Sequence, residues 1–204
     1  MNEMEKAAAG LLYDTNNDLE LIRQRQKAKA LLYEYNHLSP QDDEDQRRLL
    51  QTLLGKTGEK FIIEAPFHCD YGYNIELGEN FYANVNLVIL DCARVTLGSN
   101  VFIGPNVGLY TAGHPLDVER RNQGLEYALP IIIGDNVWIG GGVTILPGVT
   151  VGEGSVIGAG SVVTKSVPAN VVAVGNPCHI VREIGEADRQ AFRPSDVPGA
   201  PTYV

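Results

Sequence analysis

Cysteine, histidine and positive charge are all scarce in this chain, and each scarcity removes a class of explanation. Three widely spaced cysteines (Cys69, Cys92, Cys178) make neither a disulfide framework nor a CxxC metal site. They point to buried thiols in a reducing compartment. The four histidines (His37, His68, His114, His179) stand far apart, so no closely spaced pair offers a metal site. Lys and Arg number 16 against 25 Asp and Glu, a formal net charge of −9. A nucleic-acid binder needs a basic footprint, which this balance lacks; one polyanionic ligand met by a few local cations remains compatible with it. No apolar run approaches the roughly 18 residues of a membrane span, and the first residues are too polar and acidic for a signal peptide. A soluble, cytoplasmic protein without nucleic-acid or membrane partners is expected.

What the sequence has in abundance is rhythm. Between Leu97 and Val163 an aliphatic residue returns every sixth position, usually followed by glycine: Leu97-Gly98, Ile103-Gly104, Leu109-Tyr110, then Ile133-Gly134, Ile139-Gly140, Ile145-Leu146, Val151-Gly152, Ile157-Gly158 and Val163-Thr164. A second apolar set (Val101, Val107, Val137, Val143, Val149) falls four residues into each unit. No α-helix has a six-residue apolar period, and an ordinary strand alternates every two. A run of β-hairpins would need strands of about five or six residues between turns, and only two or three separate these corners. The period fits a solenoid whose units each make a short strand and a turn, three units closing a triangular coil. The expected fold is mainly β, a left-handed parallel β-helix, with glycine placed where the backbone turns sharply and a Cβ has little room.

The rhythm also divides the chain. Residues 1–58 lack the period and read as helical: Leu21, Ala28, Leu31, Leu32 and Tyr35 form one stripe of an amphipathic helix from Asp18 to Asn36. A second helix is expected from Ser39-Pro40-Gln41-Asp42, capped by Ser39 and ended by Gly55. This segment would cover one end of the solenoid, whose open edge would otherwise invite aggregation. The β-helix is assigned to 59–182. Leu77-Gly78 lies twenty residues before Leu97, two out of phase, so a distorted first coil or two is expected, with a corner insertion near Asp91. From 114 to 129 the period vanishes and a loop thrown out of the solenoid is expected. Residues 183–204 are assigned to a short helix near Ala187 to Phe192 and a proline-punctuated tail.

Long loops on rigid scaffolds carry function disproportionately often, and His114 marks the exit into this one. Histidine is the side chain suited to proton transfer near neutral pH. Its partner would be a carboxylate, Glu126 or Asp117, or a carbonyl that fixes the tautomer.

The stretches Cys69-Asp70-Tyr71-Gly72-Tyr73-Asn74, Phe81-Tyr82-Ala83-Asn84, Thr111-Ala112-Gly113-His114-Pro115, Asn136-Val137-Trp138-Ile139-Gly140 and Val162-Val163-Thr164-Lys165 resemble the maltose and galactoside O-acetyltransferases, and the maltose type more closely. The resemblance covers nearly the whole chain, N-terminal helices included. It implies transfer of acetyl from acetyl-CoA directly to a sugar hydroxyl, in clefts between the subunits of a homotrimer, with no metal. It implies His114 as general base with Asn84 beside it, and Asp70, Tyr82 and Asp91 near the acceptor; Glu126, on the same loop as His114, is assigned to the acceptor site with them. Cofactor contacts carry over to Trp138, Gly141, Ala159, Thr164, Lys165 and Arg182. Two positions depart from the pattern. Gly141 stands where the galactoside enzymes carry serine, leaving backbone N–H groups near Gly140 to Gly142 to face the tetrahedral oxyanion. His179 stands where the family has arginine after Pro-Cys. The family's N-terminal acidic acceptor contact falls to Asp14 or Asp18.

Two other readings compete. A γ-type carbonic anhydrase is also a trimeric β-helix, but it needs three histidines on a metal, two of them closely spaced, and Glu119 and Arg120 stand where a partner for His114 would be. A non-catalytic scaffold would favour flat threonine ladders, which are absent, and would leave the loop without purpose. Nucleotidyltransferases with hexapeptide domains carry a glycine-rich α/β domain ahead of the repeat, which this sequence does not contain.

Overall fold

The computed structural model describes residues 1–190. The chain opens with α1 (Glu3–Ala8), a two-residue strand β1 (Tyr13–Asp14), α2 (Leu19–His37) and α3 (Asp43–Leu53). In α2 the expected stripe is buried at Leu21, Ala28, Leu32 and Tyr35, and the Leu21 N–H donates to the Asp18 carboxylate at 2.9 Å. α3 begins three residues later than the Ser39 cap implied, with Asp42 at the N-cap position. The residue before a proline is biased away from helix, and Ser39 Oγ instead accepts from the Gln41 N–H at 3.2 Å. Asp43, Glu44 and Asp45 fill the first turn, where acidic side chains suit the positive end of the helix dipole. The helix ends at Leu53, two residues short of Gly55.

The solenoid follows as β2 (Phe61–Ile63), β3 (Phe67–Cys69), β4 (Ile75–Leu77), β5 (Phe81–Ala83), β6 (Leu87–Leu90), β7 (Val95–Leu97), β8 (Phe102–Ile103) and β9 (Gly108–Tyr110). An excursion then carries β10 (Ala112–Gly113), α4 (Val118–Asn122) and β11 (Leu125–Ala128) before the coil resumes at β12 (Ile131–Ile133). It continues through β13 (Trp138–Ile139), β14 (Thr144–Ile145), β15 (Thr150–Val151), β16 (Val156–Ile157), β17 (Val162–Val163) and β18 (Val171–Val174), then turns back in β19 (His179–Glu183) and ends in α5 (Glu186–Gln190). Three parallel faces result. The first stacks β2, β5, β8, β13, β16 and β18, with β19 added antiparallel; the second stacks β3, β6, β9, β14 and β17; the third stacks β4, β7, β12 and β15. The parallel coil stops at Val174, before the assigned end at 182, because β19 runs back antiparallel along β18. Phe192 and the tail lie outside the described residues. No helix among the described residues is long and apolar enough to cross a membrane.

The inward aliphatic of every unit is buried, and Ile75, Leu109, Ile139, Ile145 and Val163 have no exposed surface at all. The second apolar set, from Val101 to Val149, is buried with them. Glycine follows the aliphatic for one of the two reasons expected. A Cβ on Gly104 would lie 2.6 Å from the Gly141 nitrogen of the next coil, and one on Gly140 would lie 2.6 Å from the Ala159 nitrogen. The sharp turn itself sits two residues later, in left-handed backbone at Asn80, Asn86, Asn100, Asn106 and Asn136. Asparagine tolerates that conformation, and here its amide also bonds to the coil above: Asn80 donates to Asn100 at 3.1 Å, and Asn100 to Asn136 at 3.2 Å.

The early coils are longer but not distorted. Phe67 pairs with Leu87 and Ile75 with Val95, twenty residues apart in clean parallel register, whereas Trp138 pairs with Val156 at eighteen. The two extra residues fall between the second and third faces, after Cys69 and again at Asp91. The excursion from 111 to 130 leaves from that same corner. It is not a bare loop: β10 and β11 form an antiparallel hairpin, and β1 joins it to make a small sheet in the order β1-β11-β10. Ala7, Tyr13, Leu21, Tyr71 and Ala128 bury a satellite core beneath it.

Candidate active site

His114 follows directly on β10. The Leu125 carbonyl on the neighbouring strand lies 2.9 Å from its Nδ1. A carbonyl can only accept, so this contact places the ring proton on Nδ1 and leaves the Nε2 lone pair outward, the tautomer a general base requires. Of the two carboxylates considered as partners, Glu126 is the one at hand, with Oε1 3.9 Å from Nε2. Asp117 instead caps α4 by accepting from the Arg120 N–H at 2.9 Å.

Glu126 points inward toward a cluster of ionisable groups at the corner between the second and third faces. Burial raises its carboxyl above the usual range, while a hydrogen bond from the Tyr13 hydroxyl (3.1 Å to Oε2) and the charge of His114 oppose that shift. Asp70 is likewise raised by burial, and accepts from the Cys92 thiol at 3.4 Å. Arg25 of α2 donates to Tyr71 Oη at 2.8 Å and to both oxygens of Thr15, and its charge bears on Asp70 and Glu126. Burial also holds the thiols of Cys69 and Cys92 well above their ordinary range, so neither is a ready nucleophile at neutral pH.

Asp91 belongs to this corner but not to its surface. It is fully buried, and its carboxylate accepts from the N–H groups of Asp70 (3.0 Å), Tyr71 (2.9 Å) and Gly72 (2.7 Å). The expectation that it touches the acceptor gives way to a different role: it clasps the inserted corner that presents Asp70. Neither candidate for the N-terminal acidic contact is free. Asp14 accepts from the backbone of Asn16 and Asn17, and Asp18 caps α2.

The other candidates lie elsewhere on the triangle. Tyr82, Asn84, Phe102, Ile103, Gly104 and Trp138 line a shallow depression along the first face and its corner with the second. Phe102 is 54 % exposed and Trp138 43 %, large apolar surface on an open sheet. Asn84 is not in left-handed backbone; its Oδ1 accepts from the Val85 N–H at 2.8 Å, leaving the amide NH₂ outward. On the same corner the Gly140 N–H donates to Ile157 and the Gly142 N–H to Pro105, both at 2.8 Å. Of the three backbone donors considered for the oxyanion, those two are therefore engaged in coil stacking. The N–H groups of Gly141 and Ala159 make no hydrogen bond among the described residues.

Thr164 and Lys165 are exposed on the turn after β17, in line with the His114 corner, and Lys165 makes no ion pair among the described residues. Arg182, expected at the cofactor, is forked onto Asp188 at 2.7 and 2.8 Å, with its Nε buried and unpartnered among the described residues. The pairing depresses the Asp188 carboxyl to about 2. His179 is exposed, near the Pro177 carbonyl. Tyr13, Thr15 and Arg25 were not singled out in the sequence. The one available signal was the Tyr13-Asp14-Thr15 stretch, where alternating buried and polar residues precede the turn-forming Asn16-Asn17 pair.

Residues 6–58 match the maltose acetyltransferase hexapeptide capping motif, and residues 130–165 match the six-repeat bacterial transferase hexapeptide. The galactoside O-acetyltransferase of Escherichia coli (strain K12) is 47 % identical over 188 residues, 92 % of each chain. The chain belongs to the maltose and galactoside O-acetyltransferase family. The solved structure of a galactoside acetyltransferase in complex with coenzyme A superposes with a TM-score of 0.92 at 47 % identity, covering 95 % of this chain and 96 % of that one. A maltose O-acetyltransferase from Clostridium difficile 630 gives 0.89 at 48 % identity, covering 91 % and 99 %. Within this family, the geometry above divides the candidate residues between two corners of one solenoid: His114, Glu126 and Asp70 on one, Asn84, Trp138 and Gly141 on the other.

Proposed function

We propose that this O-acetyltransferase moves acetyl from acetyl-CoA directly to a sugar hydroxyl, with His114 as general base. The observation that carries the reading is the His114 ring itself, its Nδ1 turned to the Leu125 carbonyl and its Nε2 left open beside Glu126. The Nε2 lone pair takes the hydroxyl proton as the oxygen attacks the thioester carbonyl. The imidazolium that forms sits next to the Glu126 carboxylate, and Asp70 holds the acceptor from the same corner. The thioester is already activated and no reactive thiol stands near the base, so transfer needs no acetyl-enzyme and no metal.

Within one chain Asn84 and His114 sit on different corners, so one subunit holds half of each grouping. We infer a homotrimer in which the first face of one subunit meets the excursion of the next. The exposed column of Ile62, Phe102 and Trp138 supports this reading, since cyclic association would bury it. In the assembled cleft Tyr82 and Asn84 complete the acceptor side, and the Asn84 amide and Gly141 N–H are the donors available to the oxyanion. Trp138, Ala159 and Thr164 line the path of the cofactor, with Lys165 and Arg182 near its phosphates. Maltose and galactosides, named for the relatives, are the first acceptors to assay.

Replacing the base tests the reading. His114→Ala is expected to lower kcat by about 10²–10⁴-fold with little change in KM for acetyl-CoA, because the base meets the acceptor rather than the CoA phosphates. Initial-rate patterns should be sequential. Near-normal turnover of the variant with a validated acceptor would remove the base assignment, and trapped acetyl-enzyme would remove direct transfer.

A further inference from the structure

The N-terminal strand touches the chemistry through one hydroxyl. We propose that Tyr13 is a positioning residue for acetyl transfer, holding one oxygen of Glu126 so that the other faces His114. The inference rests on the reading of His114 as base. β1 is the outer strand of the small sheet, and Tyr13 stands directly across from Glu126 in the β1–β11 pairing. Its hydroxyl donates to Glu126 Oε2 at 3.1 Å, while Oε1 is the atom 3.9 Å from His114 Nε2. The same strand, β11, supplies the Leu125 carbonyl that sets the tautomer. What fixes β11 therefore fixes both groups that act on the imidazole.

β1 is built to hold still. Tyr13 is 1 % exposed, its ring packed in the satellite core. The Asp14 N–H donates to Glu3 of α1 at 2.6 Å, and the Asn16 amide donates to the Gly124 carbonyl ahead of β11 at 3.3 Å. Burial pushes the phenol far above its ordinary range, so it stays protonated and acts as a donor. Glu126 is faced by His114 after β10, Tyr13 on β1, Asp70 after β3, Cys92 after β6 and Arg25 on α2. Burial and Asp70 favour its neutral form; Tyr13, His114 and Arg25 favour the carboxylate. Taking away the Tyr13 donor removes one support of the charged form, so Glu126 would protonate at higher pH and cease to stabilise the imidazolium there.

Tyr13→Phe deletes the hydroxyl and keeps the ring. The expected result is a roughly tenfold fall in kcat near neutral pH, of the size general-acid–base positioning can carry, with KM for acetyl-CoA unchanged. The acid limb of the kcat profile should move to higher pH. In a Glu126→Gln background the same substitution should have no further effect, because the donor acts through the carboxylate. A carboxyl-carbon NMR titration of Glu126 should show the same upward movement without any turnover. An unchanged rate and profile, or an equal loss in the Glu126→Gln background, would overturn the inference. If His114→Ala is inactive while Tyr13→Phe is normal, only Tyr13's role falls; if His114→Ala stays active, the base assignment falls first.

Discussion

The two corners that carry the candidate residues grow from one six-residue rhythm and solve opposite problems. Where the first face meets the second, the coils stack so closely that a Cβ on Gly104 or Gly140 would strike the backbone above. The turns there repeat without insertions, and the asparagines bond coil to coil. Where the second face meets the third, each early coil takes in two extra residues and the third coil releases a whole hairpin and helix. The close corner offers what regularity can offer: unpaired N–H groups at fixed height and a flat apolar column. The open corner offers what regularity cannot: ionisable groups from five separate elements gathered around Glu126, beside the imidazole. Acyl transfer needs both, a base for the nucleophile and donors for the oxyanion. In the homotrimer proposed above, another copy of the solenoid brings them together.

That division can be broken outright by mixing subunits. His114→Ala and Asn84→Ala chains are each expected to be inactive to within about 1 % of wild type, from loss of the base in one and of an oxyanion donor in the other. Refolded together at random they should recover about one quarter of wild-type activity, because each mixed trimer holds one site with both residues intact. No recovery in mixtures proved to be hetero-oligomeric would mean that His114 and Asn84 do not share a site between subunits.

The close packing of the first corner predicts the next largest effect. Gly140→Ala puts a methyl 2.6 Å from the Ala159 nitrogen, where only backbone movement can make room. Overpacking of this kind costs about 3 kcal/mol. Gly160→Ala on the same corner meets nothing within 4 Å and suffers only from its φ of +72°, about 1 kcal/mol. Denaturant midpoints should rank the two variants in that order; equal losses would mean that backbone conformation, not coil spacing, selects glycine here.

The repeat was legible because its signal is local and redundant: every inward aliphatic reports the same period, and an error at one unit is corrected by the next. The two-residue slip before Leu97 was legible for the same reason, and so was the insertion at Asp91. The internal structure of the excursion was not. Its order depends on Tyr13 pairing with Glu126 across more than a hundred residues, and neither two-residue strand has a period of its own to detect. Asp91 illustrates a subtler gap. A carboxylate at an inserted corner reads equally well as a ligand contact or a clasp, and only the three N–H groups of residues 70–72 decide between them. The pairing of Arg182 with Asp188 is hidden in the sequence because Asp188, six residues on, meets it only after the chain has turned from β19 into α5.

The clasp at the open corner makes stability depend on pH. Burial lifts the Asp91 carboxyl to about 6, in spite of its three N–H donors. An acid whose folded pKa lies above its unfolded value binds its proton more tightly when folded. Its share of stability is therefore full below pH ~4, falls as pH rises to about 6, and is level beyond, a loss on the order of 3 kcal/mol. Urea midpoints between pH 4 and 7 should show this slope, and Asp91→Asn should flatten it while lowering stability overall, because an amide supplies one acceptor oxygen in place of two. A slope unchanged in the variant would place the titration on Asp70 or Glu126, which are raised in the same direction.

The smallest expected effect separates the two candidate cations. Lys165 is exposed and free of ion pairs among the described residues, whereas Arg182 is already held by Asp188. Lys165→Ala should raise KM for acetyl-CoA by about three- to tenfold with kcat nearly unchanged, since a cofactor phosphate is held alike in the ground and transition states. Added salt should shrink the difference between variant and wild type, because exposed charge pairs are screened. Arg182→Ala should behave differently. It strands Asp188, so it should loosen β19 and α5, and a rise in KM there would come with a lower thermal midpoint. If Lys165→Ala instead lowers kcat at constant KM, the lysine acts at the reacting end of the cleft. The cofactor would then run along the first face in the opposite direction, with its phosphates away from the corner that carries His114.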